Sequence, residues 1–255
     1  MNHNRNTQVL MMAVVLLISL ACGAVGAAQP TSAPTSTPVD ISIPSTATEK
    51  PTSTPEPTAT PDVAATQRYD DLFSQVQEFK DIGYIPTTDG EYIEMGDFKE
   101  EFSQLGYYQA YPYDLILENF VFTGHIKWST ATQTSDTSGC GVLFGQQEDA
   151  SDYAVFLDKS RIYFSSSTAT TYSELGKTRG TGNLNFGNPA EADLSLLVYE
   201  NHAYVYVDDE FIGEYTLSQS KPLRGAFGYG VISGTNKDYG TRCEVSNARI
   251  WSLKP

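Results

Sequence analysis

The stretch 118–128, ENFVFTGHIKW, carries the side-chain alternation that decides the fold. Large apolar side chains dominate one side of the alternation and polar ones the other: Phe120, Phe122, Ile126 and Trp128 against Thr123, His125 and Lys127. Successive side chains of a β-strand point to opposite faces of its sheet. The stretch therefore predicts a strand with one face in a core and the other in water.

Eight further stretches are predicted as strands, with turn residues between them. They span residues 140–145, 153–157, 161–165, 194–199, 203–207, 211–217, 225–232 and 243–253. Asp208 and Asp209 are predicted to join two of them in a tight hairpin. Many short strands without a long helix among them indicate an all-β fold, an antiparallel β-sandwich, rather than a parallel α/β sheet.

A helix is predicted ahead of the strands. Between residues 64 and 80 the apolar residues recur at spacings of three and four, at Tyr69, Leu72, Phe73, Val76 and Phe79. This spacing is typical of an amphipathic helix, which Gly83 and Pro86 end. Residues 90–112 show no clear period, and residues 97–102 fit a helical turn. We expect segment 63–112 to be a helix and an irregular segment, both packed on a sandwich domain over residues 113–255.

The N-terminus has the features of an export signal. Residues 9–21 are apolar apart from Ser19, and this run is too short to span a bilayer as a helix of about 20 residues. Residues 18–23, ISLACG, resemble the lipobox of bacterial lipoproteins. This resemblance implies a signal peptide over residues 1–22 and a lipid on Cys22, which would anchor the protein at the outer face of the cell membrane. The alternative is cleavage after Ala28, which would leave a secreted protein.

Residues 23–62 are predicted to form a disordered tether. They are rich in Thr, Ser and Pro and hold few side chains that a core could bury, so little offsets the entropic cost of ordering them. Extended at about 3 Å per residue, the tether would hold the domain up to about 100 Å from its anchor.

The charge of the chain limits its partners. The 16 Lys and Arg against 31 Asp and Glu give a formal net charge of −15, which repels a phosphate backbone. Nucleic acid is therefore not expected as a partner, and the membrane is expected to be contacted through the lipid anchor only. If Cys22 carries lipid, Cys140 and Cys243 are the two cysteines left to pair in an oxidising compartment.

Several of the predicted strands together resemble a known superfamily. GCGVLFG at 139–145, YAVFL at 153–157, YVYVDD at 204–209 and CEVSNARIW at 243–251 are similar to successive strands of the concanavalin A-like lectin/glucanase superfamily. Their order is similar to that of its laminin-G-like and sugar hydrolase-like jelly rolls. The resemblance covers residues 113–254 and implies a jelly-roll sandwich. It also implies a disulfide between Cys140 and Cys243, on strands that lie side by side; the alternative is two separate buried thiols.

The catalytic residues of the superfamily are incomplete in this chain. Retaining glucanases carry the pattern Glu-x-Asp-x-x-Glu on one strand, whereas residues 191–196 read EADLSL, with Leu196 in place of the second Glu. Glu191 and Asp193 are interpreted as the polar start of a strand, and Glu210 and Glu214 as solvated side chains. We predict no catalytic residue.

The sequence also has few residues that would support histidine catalysis or metal binding. Only His125, on the expected wet face, and His202, in an expected loop, follow the signal segment, which argues against a catalytic triad or a zinc site. Resemblance to laminin-G-like domains keeps calcium open as a cofactor. The carboxylates that would bind it are Glu148, Asp149, Asp152 and Asp158. We predict no other cofactor.

Aromatic rings in loops are the remaining candidates for a binding site. Sugars stack on such rings, with amide and carboxyl groups nearby. The candidates in predicted loops are Tyr107, Tyr108, Tyr111, Tyr172, Tyr239, Asn236 and Asp238. For each ring, packing against the edge of the sandwich is the alternative.

These observations predict a cell-surface lipoprotein that displays a non-catalytic jelly-roll module. A carbohydrate, as a polysaccharide or glycan, is the expected ligand class. The two alternatives are a glycoside-active enzyme of the same superfamily and a protein-interaction or structural domain.

Overall fold

The structure, a computed structural model, describes residues 63–133, 137–180 and 182–254. The predicted signal peptide over residues 1–22, the lipid on Cys22 and the tether over residues 23–62 lie outside these ranges. Among the described residues, no helix is both long and apolar enough to cross a membrane.

The described chain begins with one helix and continues as strands. Helix α1 spans Val63–Asp81, as the apolar stripe predicts. The strands are β1 (Gly90–Glu94), β2 (Phe98–Phe102), β3 (Tyr107–Leu117), β4 (Phe120–Thr130), β5 (Gly139–Gln146), β6 (Asp152–Leu157), β7 (Ile162–Ser167), β8 (Tyr172–Glu174), β9 (Ala190–Tyr199), β10 (His202–Val207), β11 (Glu210–Thr216), β12 (Gly225–Ser233) and β13 (Thr241–Leu253).

The strands form two antiparallel sheets. Sheet A has the order β1-β13-β4-β9-β10-β11, and β2 also pairs with β13. Strand β13 is long enough to pair with β2 over residues 241–245 and with β1 over residues 249–253. Sheet B has the order β3-β12-β5-β6-β7-β8. The predicted antiparallel β-sandwich is therefore confirmed.

The main core lies between sheets A and B. Phe122, Trp128, Val142 and Val207 are all buried in it, with at most 4% of Trp128 exposed. The inward alternation that stretch 118–128 predicts is confirmed, because Phe120 and its three apolar partners on β4 all lie in this core.

A second core lies between helix α1 and the outer face of sheet A. Leu72, Val76 and Phe79 of the helix are buried in one cluster with Val121 and Leu197 of the sheet. This contact explains why Val121 is fully buried although it alternates with the core positions of β4. The helix packs on the sandwich as predicted, and it covers part of the face that was expected to be wet.

The irregular part of segment 63–112 is a wrong prediction. Residues 97–102 contain strand β2, which pairs with β13, instead of a helical turn. Phe98 and Phe102 are four residues apart, and that spacing places two side chains on one side of a helix and of a strand alike. Strands β1 and β2 and the start of β3 all precede residue 113, so the sandwich begins earlier than predicted.

The disulfide between Cys140 and Cys243 is confirmed, with a Cα–Cα distance of 5.2 Å across a sequence separation of 103. The expected placement of its strands is wrong, however. Cys140 lies on β5 of sheet B and Cys243 on β13 of sheet A, so the bond joins the two sheets through the core.

The predicted hairpin at Asp208 and Asp209 is also confirmed. These residues connect β10 and β11 and have φ angles of +50° and +64°. Two consecutive residues with positive φ form the tight turn whose twist matches that of paired strands. Asp tolerates this conformation better than bulkier residues do.

Candidate functional site

A cleft of about 980 Å³ lies between helix α1 and the outer face of sheet A. One wall is the polar side of the helix, and the floor is formed by β4, β9, β10 and β13. The cleft exists because α1 buries only its apolar stripe, so its polar residues stand over the outer face of the sheet. Its size is within the range of pockets that hold small molecules.

The floor of the cleft carries four polar side chains in two adjacent rows. Thr123 of β4 pairs with Ser195 of β9, and His125 pairs with Asp193. Because side chains two residues apart share a face of a strand, all four point to the outer side of sheet A. His125 Nδ1 lies 2.8 Å from Asp193 Oδ1, and 71% of the Asp193 side chain is exposed.

The helix contributes a wall of hydrogen-bonding groups. Gln75 Nε2 donates to Ser195 Oγ at 3.0 Å, which connects this wall to the floor. Arg68 is ion-paired with Glu94 at 2.8 Å. Arg249, on β13, donates from Nη1 to the backbone oxygen of Arg68 at 3.0 Å. Side chains from the helix and from the sheet therefore converge on one space.

Several polar atoms around the cleft have no protein partner. Among the described residues, Thr123 Oγ1, Arg68 Nε and Arg249 Nε are buried without a hydrogen-bond partner. Buried polar groups normally have one, because leaving a donor unpaired is costly. The cleft walls thus keep hydrogen-bonding capacity that rotation of these side chains, or a bound molecule, would use.

Two aromatic residues, Tyr206 and Phe79, line the cleft. Tyr206 of β10 is half-buried and packs against Phe79 of the helix, with ring centroids 5.5 Å apart. Burial raises the pKa of Tyr206, as does the neighbouring Tyr84, so its hydroxyl stays protonated and can donate. The ring adds an apolar surface to a mainly polar site.

The predicted ligand-binding tyrosines lie elsewhere, and their assignment to loops is mostly wrong. Tyr107, Tyr108 and Tyr111 belong to strand β3, and Tyr172 begins strand β8. Tyr107 is 61% exposed, whereas Tyr111 is half-buried and packs on Phe98 with ring centroids 5.1 Å apart. The tyrosines of this segment lie near Gly and Pro in the sequence, which led to the loop prediction. Pairing with β12 shows that the segment is strand β3.

The structure brings Tyr108 and Tyr172 together. These residues lie on the two opposite edge strands of sheet B, yet their ring centroids are 6.2 Å apart. The two side chains therefore meet over the outer face of sheet B, between its edge strands. The Tyr163 ring joins them, and the Tyr163 and Tyr172 hydroxyls are in contact. These three rings form a second aromatic group, on the outer face of sheet B.

The remaining candidates lie in the loop between β12 and β13, as predicted. Asn236 and Asp238 are exposed there. Tyr239 lines a smaller cavity of about 500 Å³ together with Trp128 and Asn188. The Arg242 guanidinium lies over the Tyr239 ring, 4.6 Å from its centroid, so one face of this ring is occupied.

Three of the four calcium candidates have separate hydrogen-bond partners, and the fourth, Glu148, is exposed. Asp158 is fully buried and accepts hydrogen bonds from Arg161 and from the Ser160 amide. Asp152 accepts from Tyr108 and Ser167, and Asp149 from the Ser151 amide. In the part of the chain that the structure describes, no three His, Cys, Asp or Glu side chains form a group that would hold a metal.

Two predictions about polar side chains need correction. Glu214 was expected to be solvated, but its side chain is only 14% exposed and pairs with His202 and Arg179, each at 2.9 Å. His202 starts strand β10 instead of lying in a loop. The neighbouring strand β11 positions Glu214 beside these two residues, and sequence spacing alone did not reveal that pairing.

The sequence did not identify the cleft, although it placed several of its residues. His125 was predicted on the wet face and Asp193 at the polar start of a strand, and both side chains line the outer face of sheet A. Thr123, Ser195 and Arg249 gave no recognisable motif, because they meet only through the register of β4, β9 and β13. The only signal in the sequence was that each of these residues alternates with core residues along its strand, which predicts a side chain that points away from the core.

No protein-family model and no curated protein matches the sequence. Among solved structures, the carbohydrate-binding module CBM66 from Bacillus subtilis is 11% identical, with a TM-score of 0.44, over 64% of this chain and 92% of that chain. The protein CB05 of A. japonicus is 11% identical, with a TM-score of 0.42, over 64% of this chain and 26% of that one. The Crh5 transglycosylase is 7% identical, with a TM-score of 0.41, over 62% and 72% of the two chains.

With TM-scores below 0.5, these partial likenesses carry no argument about fold, ligand or reaction. The sandwich assignment stands on the strand order and pairing described above.

Proposed function

We propose that this chain is a non-catalytic carbohydrate-binding module displayed at the cell surface, and that the cleft under α1 holds the glycan. The observation that carries the proposal is the convergence of polar side chains from helix and sheet on one space of about 980 Å³. A pocket with convergent polar groups is the default binding site of an uncharacterised domain.

The chemistry of the cleft suits a sugar. Sugar hydroxyls both donate and accept, and the cleft offers carboxylate acceptors such as Asp193 with amide and hydroxyl groups such as Gln75 and Thr123. Hydrogen bonds to ionised groups are the stronger ones. The Tyr206 ring supplies an apolar surface for a sugar ring.

Display at the surface rests on the sequence. The signal peptide over residues 1–22, the lipid on Cys22 and the tether over residues 23–62 would place the module outside the cell, with the lipid as its membrane contact. Release of the protein from membranes by a Cys22→Ala variant is the expected result. Unchanged membrane association of that variant would argue for another mode of retention.

Binding to a polysaccharide panel tests the ligand class. We expect the mature protein to be retarded in native gels that contain at least one polysaccharide. Asp193→Asn and Gln75→Ala should weaken that retardation about tenfold or more, because each removes a hydrogen-bonding group that the ligand would use. The matched control is Tyr172→Ala, on the opposite sheet, which should bind normally.

Three outcomes would change the proposal. Absence of binding to every polysaccharide in the panel would rule out carbohydrate as the ligand class. Loss of binding in Tyr172→Ala but not in the cleft variants would move the site to the tyrosines of sheet B. Binding of the chain to a protein partner, without binding to any polysaccharide, would favour an interaction domain.

Glycoside hydrolysis is a second candidate, favoured by one observation. Carboxylates stand on both walls of the cleft, with Asp71 and Glu78 on the helix and Asp193 and Asp209 on the sheet side. A pair of carboxyl groups across a cleft is what glycosidases use. Release of reducing ends that is abolished by Glu78→Gln or Asp193→Asn would establish it.

A further inference from the structure

We propose that the cleft selects uncharged glycans and excludes acidic ones such as polyuronates. This inference rests on the proposed function, because it concerns the ligand of the same cleft. It follows from the balance of charged groups that line the cleft.

The cationic side chains of the cleft are already paired. Arg68 lies 2.8 Å from Glu94, and Arg249 lies 4.0 Å from Asp71. A guanidinium with a carboxylate neighbour gains little from a second anion, since the first has neutralised most of its field. These two arginines therefore do not form a carboxylate-binding site.

The remaining charges of the cleft are negative. Among the described residues, Glu78 and Asp209 form no ion pair with Lys or Arg. Among the described residues, Asp193 pairs only with His125 and not with Lys or Arg, and its side chain is largely exposed. The chain as a whole adds a net charge of −15. The cleft and its surroundings thus repel an approaching anion.

The same carboxylates favour a neutral sugar. Each ionised oxygen accepts strong hydrogen bonds from sugar hydroxyls, with no charge on the sugar to oppose it. A carboxylate on the sugar would replace such a donor with a second acceptor of like charge. Repulsion between exposed charges is screened by salt, so the selectivity should depend on ionic strength.

The test compares derivatives of one polysaccharide that binds the protein. Hydroxyethyl and carboxymethyl derivatives of the same backbone, at equal degrees of substitution, differ in charge and little in size. In about 20 mM salt the screening length is longer than the roughly 10 Å of 0.1 M salt, so charges in the cleft act over a longer distance. Under this condition we expect the carboxymethyl form to bind at least about tenfold more weakly. The difference should shrink to about twofold or less when salt is raised toward 1 M.

Two double variants complete the test. Glu78→Gln with Asp209→Asn removes the two unpaired carboxylates of the cleft and should bring the two derivatives within about threefold of each other in low salt. Asp114→Asn with Glu118→Gln removes the same charge from exposed positions outside the cleft and should leave the preference unchanged.

The outcomes separate this inference from the proposed function. Equal or tighter binding of the carboxymethyl form in low salt would overturn the inference while leaving carbohydrate binding intact. An equal effect of the two double variants would assign the preference to overall charge rather than to the cleft, and would also overturn it. Absence of binding to every polysaccharide would remove the proposed function itself.

Discussion

Asp152 is a buried carboxylate on the outer side of sheet B. It is 1% exposed and accepts hydrogen bonds from Tyr108 at 2.9 Å and from Ser167 at 2.7 Å. Lys221 lies beside it and donates to the backbone oxygens of Asp152 and Ser167. Burial raises the pKa of Asp152 and lowers the pKa of Lys221 to about 8. These groups hold the loop after β11 against β6 and β7.

Lys221 should make stability depend on pH in a defined window. Its pKa is about 8 in the folded protein against 10.5 for a free lysine, so the unfolded chain binds the extra proton between these values. The free energy of unfolding should therefore rise between about pH 8 and pH 10, by roughly 1 kcal/mol or more. Urea unfolding of the wild type and of Lys221→Met across this range measures the contribution.

The exposed Lys237→Met variant is the control for that experiment. It should keep the wild-type slope, whereas Lys221→Met should flatten it. Identical slopes in all three proteins would show that Lys221 titrates as an ordinary lysine.

Two tyrosine hydroxyls offer a matched comparison. The Tyr229 hydroxyl is buried and has no hydrogen-bond partner among the described residues, whereas the Tyr108 hydroxyl bonds to the Asp152 carboxylate. Tyr229→Phe should leave the free energy of unfolding unchanged or raise it by up to about 1 kcal/mol, because no bond is lost. Tyr108→Phe should lower it by about 1.5–3 kcal/mol, because it removes bonds to a charged group. A large loss in Tyr229→Phe would mean that its hydroxyl has a partner such as water.

The disulfide is the only cross-link between side chains of the two sheets in the described chain. It closes a loop across a sequence separation of 103, for which the chain-entropy account gives about 4–5 kcal/mol. The double variant Cys140→Ala and Cys243→Ala should lose stability of this order in urea unfolding without reductant. Adding reductant should bring the wild type to the same midpoint, and an unchanged midpoint would indicate that the bond does not form.

Helix α1 depends on a few buried contacts with sheet A. Leu72→Ala removes a side chain that is 1% exposed and should destabilise docking of the helix by about 2–5 kcal/mol. Amide exchange in α1 should then accelerate, while exchange in β4 and β9 stays slow. The exposed Gln77→Ala on the same helix should change neither rate. Uniform acceleration in Leu72→Ala would show that helix and sandwich unfold as one unit.

The helix and most strands could be predicted because each has a local period. The stripe that includes Leu72 and Phe79 predicts α1, and the alternation around Phe122 predicts β4. Strand β2 could not be predicted, because Phe98 and Phe102 fit two periods and only pairing with β13 selects one.

The candidate site was less predictable than the fold. The outer face of sheet A looks like an ordinary wet face in the sequence, and no local pattern shows that α1 crosses it. Thr123, Ser195 and Arg249 become neighbours only when three strands pair in register. Aromatic composition drew attention to Tyr108 and Tyr172, which share a different surface.

At the level of the assembled domain, we expect a ligand to bind under α1 rather than on the tyrosines of sheet B. Hydrogen exchange with and without a saturating polysaccharide measures this directly. Protection is expected in α1 and at His125 and Asp193. Protection confined to β3 and β8 would contradict the account, as would no change in exchange with a polysaccharide that demonstrably binds.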